Sequence, residues 1–274
     1  MKRILFVLAL TTLTCTMTQA AEIEEKKTVA YRTGKDADET RNALDIWMPK
    51  NAKDVPVLFF VHGGAWAIGD KLTFAISAKA FAEQGIGIVA TNYRLSPKVK
   101  HPAHIEDVAK AFTWTVENIA KHGGDPKKIV LAGHSAGGHL VSLLATNEKY
   151  LKAEKKSFAD IRGVIGVSGV YQIVHRIPSF HKAFGDDAAN CKDASPIAQI
   201  TEKHPPFLIL YAEKDFPLLD VQAKDFGEKL KKAKQEATVT EFKQRDHITI
   251  MFSATKTEDP VFSAMLKFIQ DKTK

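Results

Sequence analysis

Short apolar runs alternate with amphipathic stretches along most of this chain. VPVLFFV (55–61), GIGIVATNY (85–93), KIVLAG (128–133), GVIGVSG (163–169) and PFLILYA (206–212) are nearly continuous in apolar residues. They are too short for helices and rich in β-branched and aromatic side chains, so they read as strands buried on both faces. Apolar positions three and four apart predict helices over 74–84, 104–121, 136–146 and 218–233, with another near 260–270. Strand and helix in regular alternation predict an α/β fold, a mostly parallel sheet with helices on both faces. Ahead of it, TVAYRT (28–33) and ALDIWM (43–48) predict the edge strands of a hairpin, and VTEFK (239–243) predicts one more strand near the end. Nothing between 21 and 274 has the composition of a linker, so these residues are expected to form a single domain. The least regular part is 170–205, with Pro178, Pro196 and Pro205 followed by Pro206. It is expected to be a short cap, an excursion over the top of the sheet rather than a second domain.

In such a sheet, ligands bind beyond the carboxyl ends of the strands, and the chemically interesting residues here follow strand runs. KIVLAG runs into G-H-S-A-G, placing Ser135 on a tight strand-to-helix turn that fits a nucleophile elbow. By composition this pattern turns up in roughly one chain in ten of this length, and a glycine-rich turn without chemistry would look the same. Two further features change that balance. HGGAW (62–66) directly follows the strand at 55–61, where glycines let backbone N–H groups turn toward a developing oxyanion. The candidate donors are the N–H groups of Gly64, Ala65 and Ala136. Downstream, Asp215 ends the strand of 206–212 and His247 follows VTEFK, giving the chain order serine, acid, histidine. Asp220, one turn into the following helix, is the nearby competitor for the acid, and Ser168 in GVSG is the competing serine. Trp66 is a candidate pocket wall, with packing as the alternative. His62 is expected to fix the oxyanion loop, His139 to face a helix and Asp107 to be structural.

The first twenty residues stand apart. Lys2 and Arg3 precede the apolar run ILFVLAL, which leads to TQA at 18–20. That order is the one found in secretory signal peptides, with cleavage after Ala20, so the protein is expected to be exported to the periplasm or beyond. The apolar run is too short for a membrane span, which needs about 20 residues, and no other stretch could insert. A lipoprotein reading would use Cys15, but TLT before it is a poor lipobox. Loss of the leader would leave Cys191 as the mature chain's one cysteine, without an intramolecular partner, and no Cys/His pair has metal-ligand spacing. The formal charge is +7, much of it scattered lysine with a cluster at EKLKKAK (228–234). Nucleic-acid binding calls for arginine and aromatics interleaved on one face, a pattern not seen here, and the expected partner is a small-molecule ester.

HGGAWAIGDK, NYRLSP (92–97), HPAHIEDVAKAFTW (101–114), GHSAGGHL and ILYAEKD together give the chain a family likeness. It resembles the α/β-hydrolase esterases, and among them the bifunctional acetyl-xylan/feruloyl esterase-like enzymes and the kynurenine formamidases. The likeness extends from about 60 to 250. It implies an eight-stranded sheet, a Ser–His–Asp carboxylesterase mechanism, and neither metal nor organic cofactor. Hormone-sensitive-lipase-like esterases share the HGG and YRL segments but usually carry aspartate before the nucleophile, where this chain has His134. Two departures from the family stand out. Ala65 replaces a glycine found in many relatives, and the excursion at 170–205 is short.

Ester hydrolysis has three rivals. An aryl formamidase uses the same machinery, although the leader fits poorly with intracellular kynurenine metabolism. A non-catalytic hydrolase fold used for binding commonly loses the serine or histidine, and this chain keeps all three residues. Acyl transfer differs only in whether water or an alcohol resolves the acyl-enzyme.

Overall fold

The computed structural model describes residues 22–274; the leader expected over 1–20 lies outside the described residues. Eight strands, β1 Ile23–Ala30, β2 Ala43–Pro49, β3 Val55–Val61, β4 Gly87–Thr91, β5 Gly124–His134, β6 Gly163–Val167, β7 Phe207–Lys214 and β8 Ala237–Asp246, join in one sheet. Their order is β1-β2-β4-β3-β5-β6-β7-β8. The β1–β2 and β2–β4 pairs are antiparallel, and every other pair is parallel. This is the α/β-hydrolase sheet that the sequence leads one to expect.

The helices are α1 Ala75–Glu83, α2 Ala103–Asn118, α3 Ala136–Thr146, α4 Lys149–Ala153, α5 Pro178–Phe184, α6 Ala188–Asp193, α7 Leu219–Lys232, α8 Thr249–Ser253 and α9 Pro260–Lys272. Successive strand side chains point to opposite faces, so each central strand feeds two cores. From β3, Val57, Phe59 and Val61 pack with α2 and α3 in a core that α7 extends over β7 and β8. Its Leu58 and Phe60 pack with α1 and α9 on the other face. Both faces being covered explains why these strands read as unbroken apolar runs.

The structure moves some predicted boundaries. β1 starts at Ile23 and ends at Ala30, rather than covering 28–33. It is an edge strand exposed along most of its length, so IEEKK carries no apolar signal, and a bulge between Lys26 and Val29 disturbs what alternation there is. β5 begins at Gly124, in the GGDP segment that resembles a turn, because Gly124 pairs with Val55 before the register shifts to Val57–Ile129. The 170–205 excursion contains α5, α6 and a 3-10 turn at Pro196–Gln199. Pro178 and Pro196 open two of these, where the missing N–H costs nothing.

β3 lies between β4 and β5, and the connections β3–α1–β4 and β4–α2–β5 run over opposite faces of the sheet. Ligands bind beyond such a switch point. HGGAW follows β3 and Ser135 follows β5, which brings both segments to the same crevice.

Candidate active site

Ser135 has φ 55° and ψ −118°, a conformation that non-glycine residues avoid at a cost of about 1–3 kcal/mol. Its surroundings over-determine it. The Ser135 N–H donates to Val167 O at 2.9 Å, and the His139 N–H closes α3 onto Ser135 O at 3.0 Å. The flanking glycines are required by close approach. A Cβ on Gly133 would lie 2.4 Å from the Gly137 carbonyl, and one on Gly137 would lie 2.0 Å from Val61 O. The elbow therefore presses α3 against β3 and β5, leaving the Ser135 side chain at the head of the helix.

His247 reaches Ser135 from the loop after β8. The Ser135 hydroxyl donates to His247 Nε2 at 2.9 Å, and His247 Nδ1–H donates to Asp215 Oδ1 at 2.6 Å. Both His247 and Asp215 side chains are buried. Burial pushes the Asp215 carboxyl up, but hydrogen bonds from His247, Ser168 and the Ala212 N–H outweigh it and hold the group below the usual carboxylate value. Phe216 N–H adds a bond to Asp215 Oδ1 at 2.9 Å. Asp220, the rival acid, faces solvent and pairs with Lys224 at 3.2 Å. Ser168, the rival nucleophile, is buried and donates its hydroxyl to Asp215 Oδ2 at 2.5 Å, so it belongs to the acid's support.

Two contacts to His247 were not foreseen from the sequence. The His134 Nε2–H donates to the backbone carbonyl of His247 at 2.8 Å. Burial, aided by the nearby His247, lowers the His134 pKa to about 4 and keeps the ring neutral. Phe216 stacks on the His247 imidazole, with ring centroids 4.0 Å apart and planes 22° from parallel. The first contact joins residues 113 positions apart, and local sequence has no signal for it.

The loop after β3 is held from behind. His62 Nδ1–H donates to Gly63 O at 2.7 Å, while its Nε2 accepts from Arg41 Nη2 at 3.0 Å. Burial lowers the His62 pKa to about 4, and its ring stacks on Tyr93 with centroids 4.5 Å apart. Arg41 also donates to Tyr93 O and Gly69 O, both at 3.0 Å, tying both sides of the loop to one guanidinium. The loop turns through Ala65 and Trp66 at φ 51° and 58°, and the Ala67 and Ile68 N–H groups both donate to Gly64 O at 3.0 Å. Among the described residues, the N–H groups of Gly64, Ala65 and Ala136 have no intramolecular acceptor. All three residues line the cavity of about 510 Å³ onto which Ser135 and His247 open.

The remaining walls of that cavity are apolar except for Gln222, whose carboxamide oxygen accepts from the Tyr171 and Gln172 N–H groups at 2.8 and 2.9 Å. Val170, Ile177 and Phe180 come from the excursion, and Phe216, Leu218 and Leu219 from the β7–α7 connection. Trp66 borders it, yet its indole is wedged into protein. Its N–H donates to His139 Nδ1 at 3.2 Å, and its ring meets Phe184 edge-on at 4.8 Å. His139 in turn donates Nε2–H to Ala194 O at 2.7 Å, so it ties the excursion to Trp66 of the oxyanion loop. Tyr171 and Phe184 do not reach the cavity. Tyr171 stacks on Phe226 in the core, and Phe184 sits behind Trp66. Asp107 is held by Arg94 in a two-pronged pair at 2.7 and 2.9 Å, as a structural role demands. A larger hollow of about 720 Å³ lies beside β1, β2 and the turn at 120–123, lined largely by charged and polar side chains and away from Ser135. Among the described residues, no three His, Cys, Asp or Glu side chains converge as metal ligands, and no helix is long and apolar enough to cross a membrane.

Comparison with known proteins fits this geometry. The BD-FAE family profile matches residues 44–230. Esterase LipC of Mycobacterium tuberculosis is 34% identical over 215 residues, covering 71% of this chain and 53% of that protein. A probable isoprenylcysteine alpha-carbonyl methylesterase of Arabidopsis thaliana is 25% identical over 258 residues, covering 85% of this chain and 53% of its own length. This chain thus spans about half the length of these relatives. Among solved structures, a truncated carbohydrate esterase from gut microbiota superposes with a TM-score of 0.77 at 20% identity, covering 93% of this chain and 97% of the other. Esterase B of Lactobacillus Rhamnosis superposes at 0.79 and 20% identity, covering 92% and 86%. At that identity the superpositions speak for the fold alone, whereas the family profile and the relatives carry the assignment: the chain belongs to the BD-FAE family of α/β-hydrolase esterases.

Proposed function

We propose that this protein is a serine carboxylesterase that cleaves short-chain or aryl carboxylic esters through an acyl-enzyme. The observation that carries the reading is the unbroken relay Asp215–His247–Ser135 opening on a cavity beside three unpaired backbone N–H groups. Ser135 Oγ attacks the ester carbonyl carbon as His247 Nε2 takes the hydroxyl proton, and Asp215 holds the imidazolium in place. Gly64, Ala65 and Ala136 N–H groups receive the oxyanion, each worth about 3 kcal/mol. The carbonyl–alkoxy bond then breaks, its electron pair leaves with the alcohol oxygen, and His247 returns the proton there. Water, deprotonated by His247, resolves the acyl-enzyme and releases the acid.

The acyl preference follows from the walls. Each buried methylene contributes about 0.8 kcal/mol, and the walls available to bury one are short: Val170, the region of α5, the β7–α7 connection with the first turn of α7, and Ile248. The leading basic–apolar–TQA segment supports export of the mature enzyme.

A panel of p-nitrophenyl acetate, butyrate, octanoate and palmitate beside an aryl formamide tests the reading. The expected kcat/KM peaks at acetate to butyrate and falls steeply by octanoate. Ser135→Ala should lower kcat about 10⁴-fold or more with the fold intact. A formamide turned over faster than every ester would replace this reading with the formamidase one, and a maximum at octanoate or beyond would mean a deeper acyl tunnel.

A further inference from the structure

A second cavity, of about 280 Å³, lies on the other side of the loop that follows β3. Phe60, Thr73, Met251 and Phe252 line it, and it shares Gly64, Ile68, His134 and Ile248 with the cavity at Ser135. We propose that this second cavity seats the alcohol half of the ester, and that the enzyme selects esters of apolar, ring-bearing alcohols over sugar esters. The proposal rests on the carboxylesterase reading and adds which alcohol the site accepts.

Direction comes from the chemistry of the leaving group. The departing oxygen must lie beside His247 Nε2, because that atom returns the proton as the bond breaks. Neither Ser135 nor His247 lines the second cavity, but Ile248, the neighbour of His247 in sequence, lines both cavities, and Met251 and Phe252 of α8 continue the lining of the second beside Gly63, Gly64 and Ile68 of the oxyanion loop. A substituent on the leaving oxygen therefore points here. The acyl chain, on the other side of the carbonyl carbon, runs toward Val170, Ile177 and Phe180.

The lining decides the class of alcohol. Thr73 and His134 are the polar side chains on it, and both have already used their hydrogens. The Thr73 hydroxyl donates to Asp70 O at 2.8 Å, and the His134 Nε2–H donates to His247 O. Sugar hydroxyls would lose water at these walls and find two side-chain acceptors, the Thr73 oxygen and His134 Nδ1, but no side-chain donor for their own oxygens. An apolar ring loses nothing comparable. Ile68, Ile248 and Phe252 are 70%, 51% and 57% exposed, large apolar surfaces left in water at the mouth of this cavity. Covering them favours an apolar guest. One aromatic ring fits the volume; a fused polycyclic system would fill it.

The test holds the acyl group constant. Ethyl acetate, benzyl acetate and a 6-O-acetyl glucoside differ in the alcohol they release, so each kcat/KM is divided by the ester's rate of alkaline hydrolysis, and the quotient reports the fit of the alcohol. Benzyl acetate is expected to exceed ethyl acetate by about tenfold or more, with the sugar acetate no faster than ethyl. Thr73→Phe, which projects a ring into the cavity, should reduce the benzyl-to-ethyl ratio about tenfold. Phe252→Ala, which removes a wall, should reduce the same ratio mainly through KM. A ratio near one in the native enzyme, a ratio untouched by either substitution, or a sugar acetate faster than benzyl would overturn the assignment. Absence of turnover on all three, together with no labelling of Ser135 by a fluorophosphonate, would instead sink the carboxylesterase reading and this subsite with it.

Discussion

His134, the residue immediately before Ser135, donates its Nε2–H to the backbone carbonyl of His247 at 2.8 Å. The elbow that presents the serine thus also anchors the loop that presents the histidine. Both partners of the 2.9 Å Ser135–His247 contact hang from one short segment of β5.

His134 is therefore a positioning residue, and removing it should harm turnover more than binding. His134→Ala leaves a buried carbonyl unpaired and frees His247 to drift. A tenfold loss in rate needs only about 1.4 kcal/mol, within the cost of one buried unsatisfied group. The expected outcome is a fall in kcat of about tenfold or more with KM little changed. His134→Gln, which keeps a donor, should recover much of the loss. Steady-state kinetics with a pH–rate profile checks this, since a purely structural role would lower Tm and leave the pH dependence alone.

The environment of Asp215 separates three carboxylate and hydroxyl roles. Asp215→Asn should cost about 10⁴ in kcat by disrupting the tautomer that His247 needs. Asp220→Asn should stay within about twofold, because that side chain faces solvent and pairs with Lys224. Ser168→Ala takes one donor from a charged carboxylate, a bond worth about 1.5–3 kcal/mol, so Asp215 rises toward its ordinary value and kcat drops by roughly an order of magnitude. Loss of activity in Asp220→Asn with full activity in Asp215→Asn would reassign the acid.

Acid should unfold this protein through its buried histidines. Burial lowers His62, His104 and His134 to about 4 and His139 to about 3, against 6.5 for the free side chain. Between pH 6.5 and 4 the unfolded chain binds protons that the native state refuses, so stability is full above 6.5 and falls as pH drops through this window. At pH 5 each ring accounts for roughly 2 kcal/mol of lost stability, and four together rival the whole stability of an ordinary domain. The depressed Asp215 acts lower, its contribution being lost as pH falls below the usual carboxylate range. Urea unfolding at pH 7.5, 6 and 5 measures the slope, and a stability constant across these three would contradict it.

Export is testable without any substrate. Mass spectrometry of the protein from its native host should find a mature chain beginning at or next to Ala21. An intact Met1 on a cytoplasmic protein would refute the leader.

Much of this molecule is legible before folding because its signals are local. Strands buried on both faces must be apolar throughout, so β3, β5, β6 and β7 announce themselves, and the helices between them carry a 3.6-residue period. The elbow and the HGG turn are legible for the same reason: tight turns need glycine at particular positions, and those positions are neighbours in the chain. β1 is hidden because an exposed edge strand has no apolar face to betray it. Chain order singles out Asp215 and His247 as candidates. Their 2.6 Å contact, however, joins residues 32 positions apart, and only the parallel register of β7 against β8 brings them together. His134 on His247 and Arg41 behind His62 belong to the same class. So does the second cavity, built from β3, the oxyanion loop and α8. Such contacts leave no periodicity or motif, since each residue is chosen by a partner that only tertiary packing delivers.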